Sequence, residues 1–301
     1  VNMVLKAEFI PLDRFIDIHR EYVKMGDQKE ETCGLYALTY ILRGLGYRKH
    51  GDIEIDEDYL SYLARTRISP EEDSLRREIF TKILYGEITF EEAVKRYWKI
   101  IRKYELPTTS NPVELGTSAE GVKYALETVT SGELVGIPIP SRRGNQVYFT
   151  EEKFSALTNL LIENINNWKY QAILNWQAGK LLNIVSKFHD ILLALFSENP
   201  LATLGQNPWR VGHFVSLAGF IRVIRGSEIR TYFVIRDSYK NAGYMGYHVQ
   251  PVDRVREALV RDDGREGGIL LIVHKAIAKE VEDSIKNVGL PTGLWDNGTP
   301  F

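Results

Sequence analysis

The chain has 301 residues, 44% of them hydrophobic and 26% charged, enough to bury a sizeable core and too apolar for a disordered chain. Its 38 basic and 40 acidic residues give a formal net charge of -2, so no global field favours nucleic acid or an anionic membrane as partner. The single cysteine, Cys33, excludes an internal disulfide and a cysteine-rich metal site.

Residues 9–22 form a mixed apolar segment expected to lie near the helix that follows. Thr32 stands as a helix N-cap before Leu35, Leu38, Leu42 and Leu45, which recur at helical spacing until Gly44 and Gly46 end the run. Cys33 is then the first residue of a buried helix. Ser69-Pro70-Glu71-Glu72 is a start signal with proline in the first turn, and Thr89-Phe90-Glu91-Glu92 is a capping box. A further capping box, Thr117-Ser118-Ala119-Glu120, precedes a third helical pattern. Residues 134–139 read as a strand, and the turn-rich 142–145 closes this part.

Residues 151–196 are read as mostly helical, and 180–196 as one amphipathic helix. That stretch is too short and too charged, with Lys187, His189 and Asp190, to cross a membrane. The character then changes. Runs 213–224 and 231–236 are rich in Val, Ile and Phe and flank Gly226-Ser227, the pattern of a hairpin, and 268–274 is a further strand. The fold class expected is α+β. It comprises a helical lobe (1–133), a first sheet strand with a boundary turn (134–150), a helical insertion (151–208) and an antiparallel sheet lobe (209–301). The N-terminus lacks the basic, apolar and small-residue succession of a secretory signal. With the lone cysteine, that favours the cytoplasm unless a leader has been removed.

The chemistry-bearing residues fall at element ends. Thiol catalysis needs thiolate, and a free cysteine with a pKa of about 8.5 supplies little of it at neutral pH. The first turn of a helix favours the anion through its unpaired N–H groups, and a nearby imidazole can stabilise it or act as base. His213 opens one strand run and Asp237 follows the next. If the two runs form a hairpin about Gly226-Ser227, His213 faces Tyr239 and Lys240, and one bulge brings Asp237 nearer. The acid would then orient the imidazole. Gln28 and the Cys33 N–H are candidate oxyanion donors. Each residue taken alone has a plainer use: a small buried thiol, a strand histidine, an aspartate opening a turn, a loop glutamine. Their joint order is what points to a site.

The segments 28–42, 212–220 and 234–239 resemble the papain-like cysteine peptidase superfamily, and its bacteriocin-leader-processing-like branch above all. The resemblance implies Cys33 as nucleophile, His213 as base and acid, Asp237 as orienting acid and Gln28 as oxyanion donor. Four residues separate Gln28 from Cys33, one fewer than is usual in that branch. The activity implied is hydrolysis of a peptide or amide bond in a peptide, protein or small amide substrate, with no cofactor and no metal. The run from Cys33 through Gly46 also resembles the thiol-bearing helix of transglutaminase-like proteins, so acyl transfer by the same residues is a second expectation. A non-enzymatic binding or scaffolding module on the same fold is a third. Among the remaining residues, Trp209 could shield the imidazole, and the loop Gly243-Tyr244-Met245-Gly246-Tyr247 is expected to flank the cleft. His189-Asp190 is expected to diverge on its helix, and His19, His50 and His248 lack metal-ligand spacing.

Overall fold

The computed structural model describes residues 5–184 and 187–301. Strand β1 (Leu5–Pro11) is followed by helices α1 (Phe15–Lys24) and α2 (Cys33–Gly44), a small ribbon of β2 (Lys49–His50) and β3 (Ile53–Glu54), and α3 (Glu57–Leu63). Next come α4 (Pro70–Leu84), α5 (Phe90–Tyr97) and α6 (Ala119–Val129). The starts of α4 and α5 follow the sequence signals. The Ser69 hydroxyl accepts from Glu72 N–H with Pro70 in the first turn, and Thr89 and Glu92 complete a reciprocal capping box. The start of α6 differs by one residue: Ser118 is the cap, accepting from Gly121 N–H, while the Thr117 hydroxyl pairs with that of Thr66. Thr32 occupies the N-cap position of α2 without capping it, because its hydroxyl is held by other partners.

The rest of the chain supplies β4 (Leu134–Pro140), a ribbon of β5 (Arg142–Arg143) and β6 (Gln146–Val147), α7 (Glu151–Glu163), α8 (Ile165–Trp168) and β7 (Gln171–Gln177). Then follow α9 (Phe188–Phe196), α10 (Pro200–Leu204), β8 (Gly212–Arg225), β9 (Glu228–Arg236), β10 (Tyr247–Pro251), α11 (Val252–Val260), β11 (Gly268–His274) and α12 (Ala278–Asn287). One antiparallel sheet runs in the order β10-β9-β8-β7-β11-β4, with β1 also paired to β8. The long β8 serves two neighbours on one side: its start pairs with β7 and its end with β1. At the changeover Gly219 is required, since a β-carbon there would stand 2.5 Å from the Ile10 carbonyl oxygen.

The fold is α+β, with helices concentrated early and the sheet assembled mainly from the later half. Alternate strand residues feed two cores, as a period of two requires. Ile173, Phe214, Leu270 and Ile272 pack with α1, α2, α3 and α6. Their neighbours Leu174, Val215, Leu271 and Val273 pack with α7, α11 and α12. The sheet is therefore covered on both faces, and α2 lies inside, with ten of its residues buried.

Two stretches depart from the pattern expected. Within 151–208, read as helical, β7 is a central strand of the sheet; its run QAILNWQ is apolar throughout because both faces are covered, and a short apolar run carries no distinguishing period. Of the single helix read over 180–196, only α9 is present, and residues 185–186 lie outside the described residues. The segment 9–22 divides between the end of β1 and α1, and α1 does lie on α2.

The crossing of α1 and α2 sets a steric limit. A methyl on Gly44 would lie 2.5 Å from Ile18 Cγ1 and 2.6 Å from Ile18 Cα. Alanine improves helix propensity by about 1 kcal/mol over glycine, whereas overpacking against backbone costs about 1–3 kcal/mol. Gly44→Ala is expected to lower the urea midpoint; a raised midpoint would show that the crossing has slack.

Candidate active site

The loop leading to Cys33 is fixed before the helix begins. Lys29, although cationic, is buried: its Nζ donates to Asp58 Oδ1 (2.7 Å) and the Ile101 carbonyl (2.6 Å), and its backbone N–H donates to Glu57 Oε1 (2.7 Å). The Thr32 hydroxyl lies against the Lys29 carbonyl (2.8 Å) and the Glu57 carboxyl. Burial pushes the Glu57 carboxyl up to about 7 against the opposing pull of Thr32 and Lys29. With Thr32 so engaged, the first-turn N–H groups of α2 keep no side-chain cap among the described residues. The positive end of the helix is left to the Cys33 side chain and to whatever binds beside it.

Two close approaches bring the sheet to this helix end. Gly34 lets α2 settle on β8, since a β-carbon there would already stand 3.2 Å from the Phe214 ring. The Phe214 N–H then donates to the Cys33 sulfur at 3.4 Å. Cys33 is partly exposed, whereas the next residue along β8 toward its start, His213, is buried. His213 Nε2 meets Asp237 Oδ1 at 3.0 Å, which leaves Nδ1 as the ring nitrogen for the Cys33 side of the imidazole.

The hairpin expected from sequence forms with its turn at Gly226-Ser227. Its register runs from Arg225↔Glu228 to Gly219↔Val234 and then slips by one residue at Ala218, giving Leu217↔Ile235 and Ser216↔Arg236. That bulge moves the start of β8 one residue closer to Asp237. Beyond the last pair the chain turns, and Asp237 is fixed by its own backbone: its N–H donates to the Gly246 carbonyl (2.8 Å) and its carbonyl accepts from the Tyr22 hydroxyl (2.7 Å). The Gly243–Gly246 loop thus holds the acid. Gly246, at φ 87°, has no room for a side chain, because a β-carbon would stand 1.7 Å from the Tyr22 hydroxyl oxygen.

Cys33, His213 and Asp237 come together, and Gln28 lies beside them. The Gln28 Oε1 accepts from the Ser238 hydroxyl, its Nε2 donates to the Lys29 carbonyl (3.1 Å), and Ser238 Oγ stands 3.4 Å from His213 Nε2. Trp209 and Tyr239 complete the surroundings, with ring centroids 5.0 Å and 5.8 Å from that of His213. Ser238, His248 and Gln250, none of them expected from sequence to belong to the site, also lie here. His248 Nε2 lies 3.3 Å from Asp237 Oδ2, on β10, which returns past Asp237 to pair with β9. His189 and Asp190, expected to diverge, meet at 3.0 Å in the first turn of α9. Among the described residues no group of three or more His, Cys, Asp or Glu side chains is placed to hold a metal ion, and no helix is long and apolar enough to cross a membrane.

Burial alone would lower the His213 pKa, but the charge and hydrogen bond of Asp237, joined by the Cys33 sulfur, outweigh it and push it up to about 10. Burial likewise favours a neutral Asp237, and here His213 and then His248 hold the carboxyl well below the usual carboxylate range. The pair is an ion pair at neutral pH, with the imidazolium next to the Cys33 sulfur.

A model of a family of unknown function, DUF6885, matches residues 12–296. The chain belongs to the DUF6885 family. No curated protein matches it. In this DUF6885 protein the matched span runs from the end of β1 past α12, so Cys33, His213, Asp237 and their supports all lie within the family's own segment.

The raised imidazole carries a stability consequence. The folded DUF6885 protein retains the His213 proton to about pH 10, whereas an unfolded histidine releases it near about 6.5. The folded state therefore binds the extra proton between those values, so the stabilisation is complete below about pH 6.5 and is lost as pH rises through about 10. Urea melts of wild type and His213→Asn are expected to converge as pH rises across this window. A constant gap across it would contradict an imidazolium in the folded state.

Proposed function

We propose that this DUF6885 protein is a papain-like thiol hydrolase that cleaves a peptide or amide bond through an acyl-enzyme on Cys33. One observation carries the reading. A partly exposed thiol at an uncapped helix N-terminus stands beside a buried imidazole whose other nitrogen is held by a buried carboxylate. The same side-chain types in the same chain order mark the papain-like resemblance of 28–42, 212–220 and 234–239.

The chemistry follows from the roles that the geometry permits. Cys33 reacts as the thiolate beside the His213 imidazolium, and the thiolate attacks the carbonyl carbon to form a tetrahedral oxyanion. The Cys33 N–H at the helix start and the second N–H of the Gln28 amide are the donors available to that oxyanion. His213 then gives its proton to the leaving amine as the C–N bond breaks, leaving a thioester on Cys33. Water, deprotonated by the now neutral His213, attacks the thioester and releases the acid, and the thiolate and imidazolium are restored. Asp237 keeps the proton on Nε2 throughout, so that Nδ1 faces the reaction. The aromatic rings of Trp209 and Tyr239 limit water around the imidazole and strengthen the ion pair.

Iodoacetamide is expected to modify Cys33 rapidly at a pH well below the ordinary thiol range, with the pH profile lost in His213→Ala. Against a library of peptide amides, Cys33→Ala is expected to cost about a thousandfold or more in kcat/KM with an intact fold. A thiol that alkylates like free cysteine, or an activity that survives Cys33→Ala, would end this reading. Products bearing an added primary amine instead of water would reassign the second half of the reaction to acyl transfer.

A further inference from the structure

Asp237 has a second imidazole on it. Its Oδ1 accepts from His213 Nε2 (3.0 Å) and the Tyr239 N–H (3.2 Å), and its Oδ2 faces His248 Nε2 at 3.3 Å. His248 Nδ1 in turn lies 3.2 Å from Gln250 Nε2. The orientation of the Gln250 amide is fixed at its far end, where Oε1 accepts from the Leu182 N–H (2.8 Å) and Nε2 reaches the Leu182 carbonyl (3.4 Å). An amide nitrogen only donates, so His248 Nδ1 must accept. The ring proton is therefore on Nε2, where it is donated to Asp237. Asp237, His248 and Gln250 are all at least nine-tenths buried, so no solvent competes for these bonds. Gly243 allows the loop to close over them, since a β-carbon there would stand 2.7 Å from His248 Cβ.

We propose that His248, with its tautomer set by Gln250, is a positioning residue for the thiol site, fixing the Asp237 carboxylate in the plane and charge state that orient His213. The proposal rests on the reading of Cys33 and His213 as the reacting pair. It extends the chain of hydrogen bonds from the sulfur through His213, Asp237, His248 and Gln250 to the backbone of Leu182, which couples the site to the segment between β7 and α9. A chain of this kind fixes geometry because each member has a single acceptable donor and acceptor arrangement. Other titratable or charged groups face it from the surrounding elements: Tyr22 of α1 on the Asp237 carbonyl, Tyr40 of α2, Arg236 of β9, Tyr239 over His213, and Asp190 of α9 in the small cavity beside His248. Tyr22 and Tyr40 stay protonated, their pKa values raised by burial, and Asp190 is paired with His189. His248 is therefore the group whose removal takes a donor from Oδ2.

The test follows the protonation of His213 by nitrogen-15 NMR in the full chain carrying Cys33→Ala, so that thiol chemistry plays no part. His248→Ala is expected to lower the His213 midpoint by about one pH unit, a tenfold loss of proton affinity. His248→Gln, whose amide can still donate to Oδ2, is expected to recover at least half of that shift. Gln250→Leu, which frees Nδ1 to compete for the ring proton, is expected to shift the midpoint the same way by less. In the chain with Cys33 present, His248→Ala should move the alkylation pH profile, and His248→Gln should restore it. A packing role alone would lower the thermal midpoints and leave the His213 midpoint where it was. A midpoint that stays or rises in His248→Ala overturns the proposal, and if that variant does not fold, an unmoved midpoint in Gln250→Leu does so. Should Cys33 prove inert while the His213 midpoint still falls, the thiol reading fails and the coupling of His248 to His213 stands.

Discussion

The structure around the site depends on one buried charge. Asp237 is fully excluded from solvent, and an ionised carboxylate so placed costs roughly several kcal/mol unless donors replace the lost water. Three of them do, on two oxygens: His213, the Tyr239 N–H and His248. Because the compensation is directional, it constrains everything that carries a donor. The bulge at Ala218, the end of β9, the tight Gly243–Gly246 loop and the tyrosine of α1 all converge on the same residue.

The helix that carries the thiol is constrained in a different currency, that of volume. Its glycines mark where neighbours press closest, Gly34 under Phe214 and Val122, and Gly44 under Ile18. Its N-terminus is tied from outside by the buried Lys29–Asp58 pair and by Glu57, which occupies the hydroxyl that would otherwise cap the helix. Packing thus places the sulfur, and a diverted cap leaves the helix end electrostatically open beside it. The two sets of constraints meet at Phe214 and His213, consecutive residues of β8, one touching the sulfur and the other lying on the carboxylate.

Much of this was legible in local pattern. Helix starts at Ser69 and Thr89 are encoded in four residues each, since a cap needs only a side chain and the next turn. The hairpin about Gly226-Ser227 is likewise local. Its bulge was not, because it falls where Ala218 takes a partner from the far end of the chain, its carbonyl accepting from the N–H of Leu12 just past β1. β7 escaped for a related reason: a strand covered on both faces shows no alternation, and its neighbours β8 and β11 lie distant in sequence. His248 was invisible as a site residue because its importance comes from meeting Asp237 across a turn, and no spacing rule records such a meeting.

Side-chain chemistry over a few residues was enough for most of the elements, β7 excepted, for the lone thiol at a helix start, and for the placing of a histidine and an aspartate at strand ends. Only the tertiary structure decided what those groups face. It set the one-residue slip that draws β8 toward Asp237, the diversion of Thr32 from its cap, the second imidazole on the carboxylate and the burial of the set. Each of these is the balance of contacts between segments far apart in the chain, and such balances are struck only when the core closes.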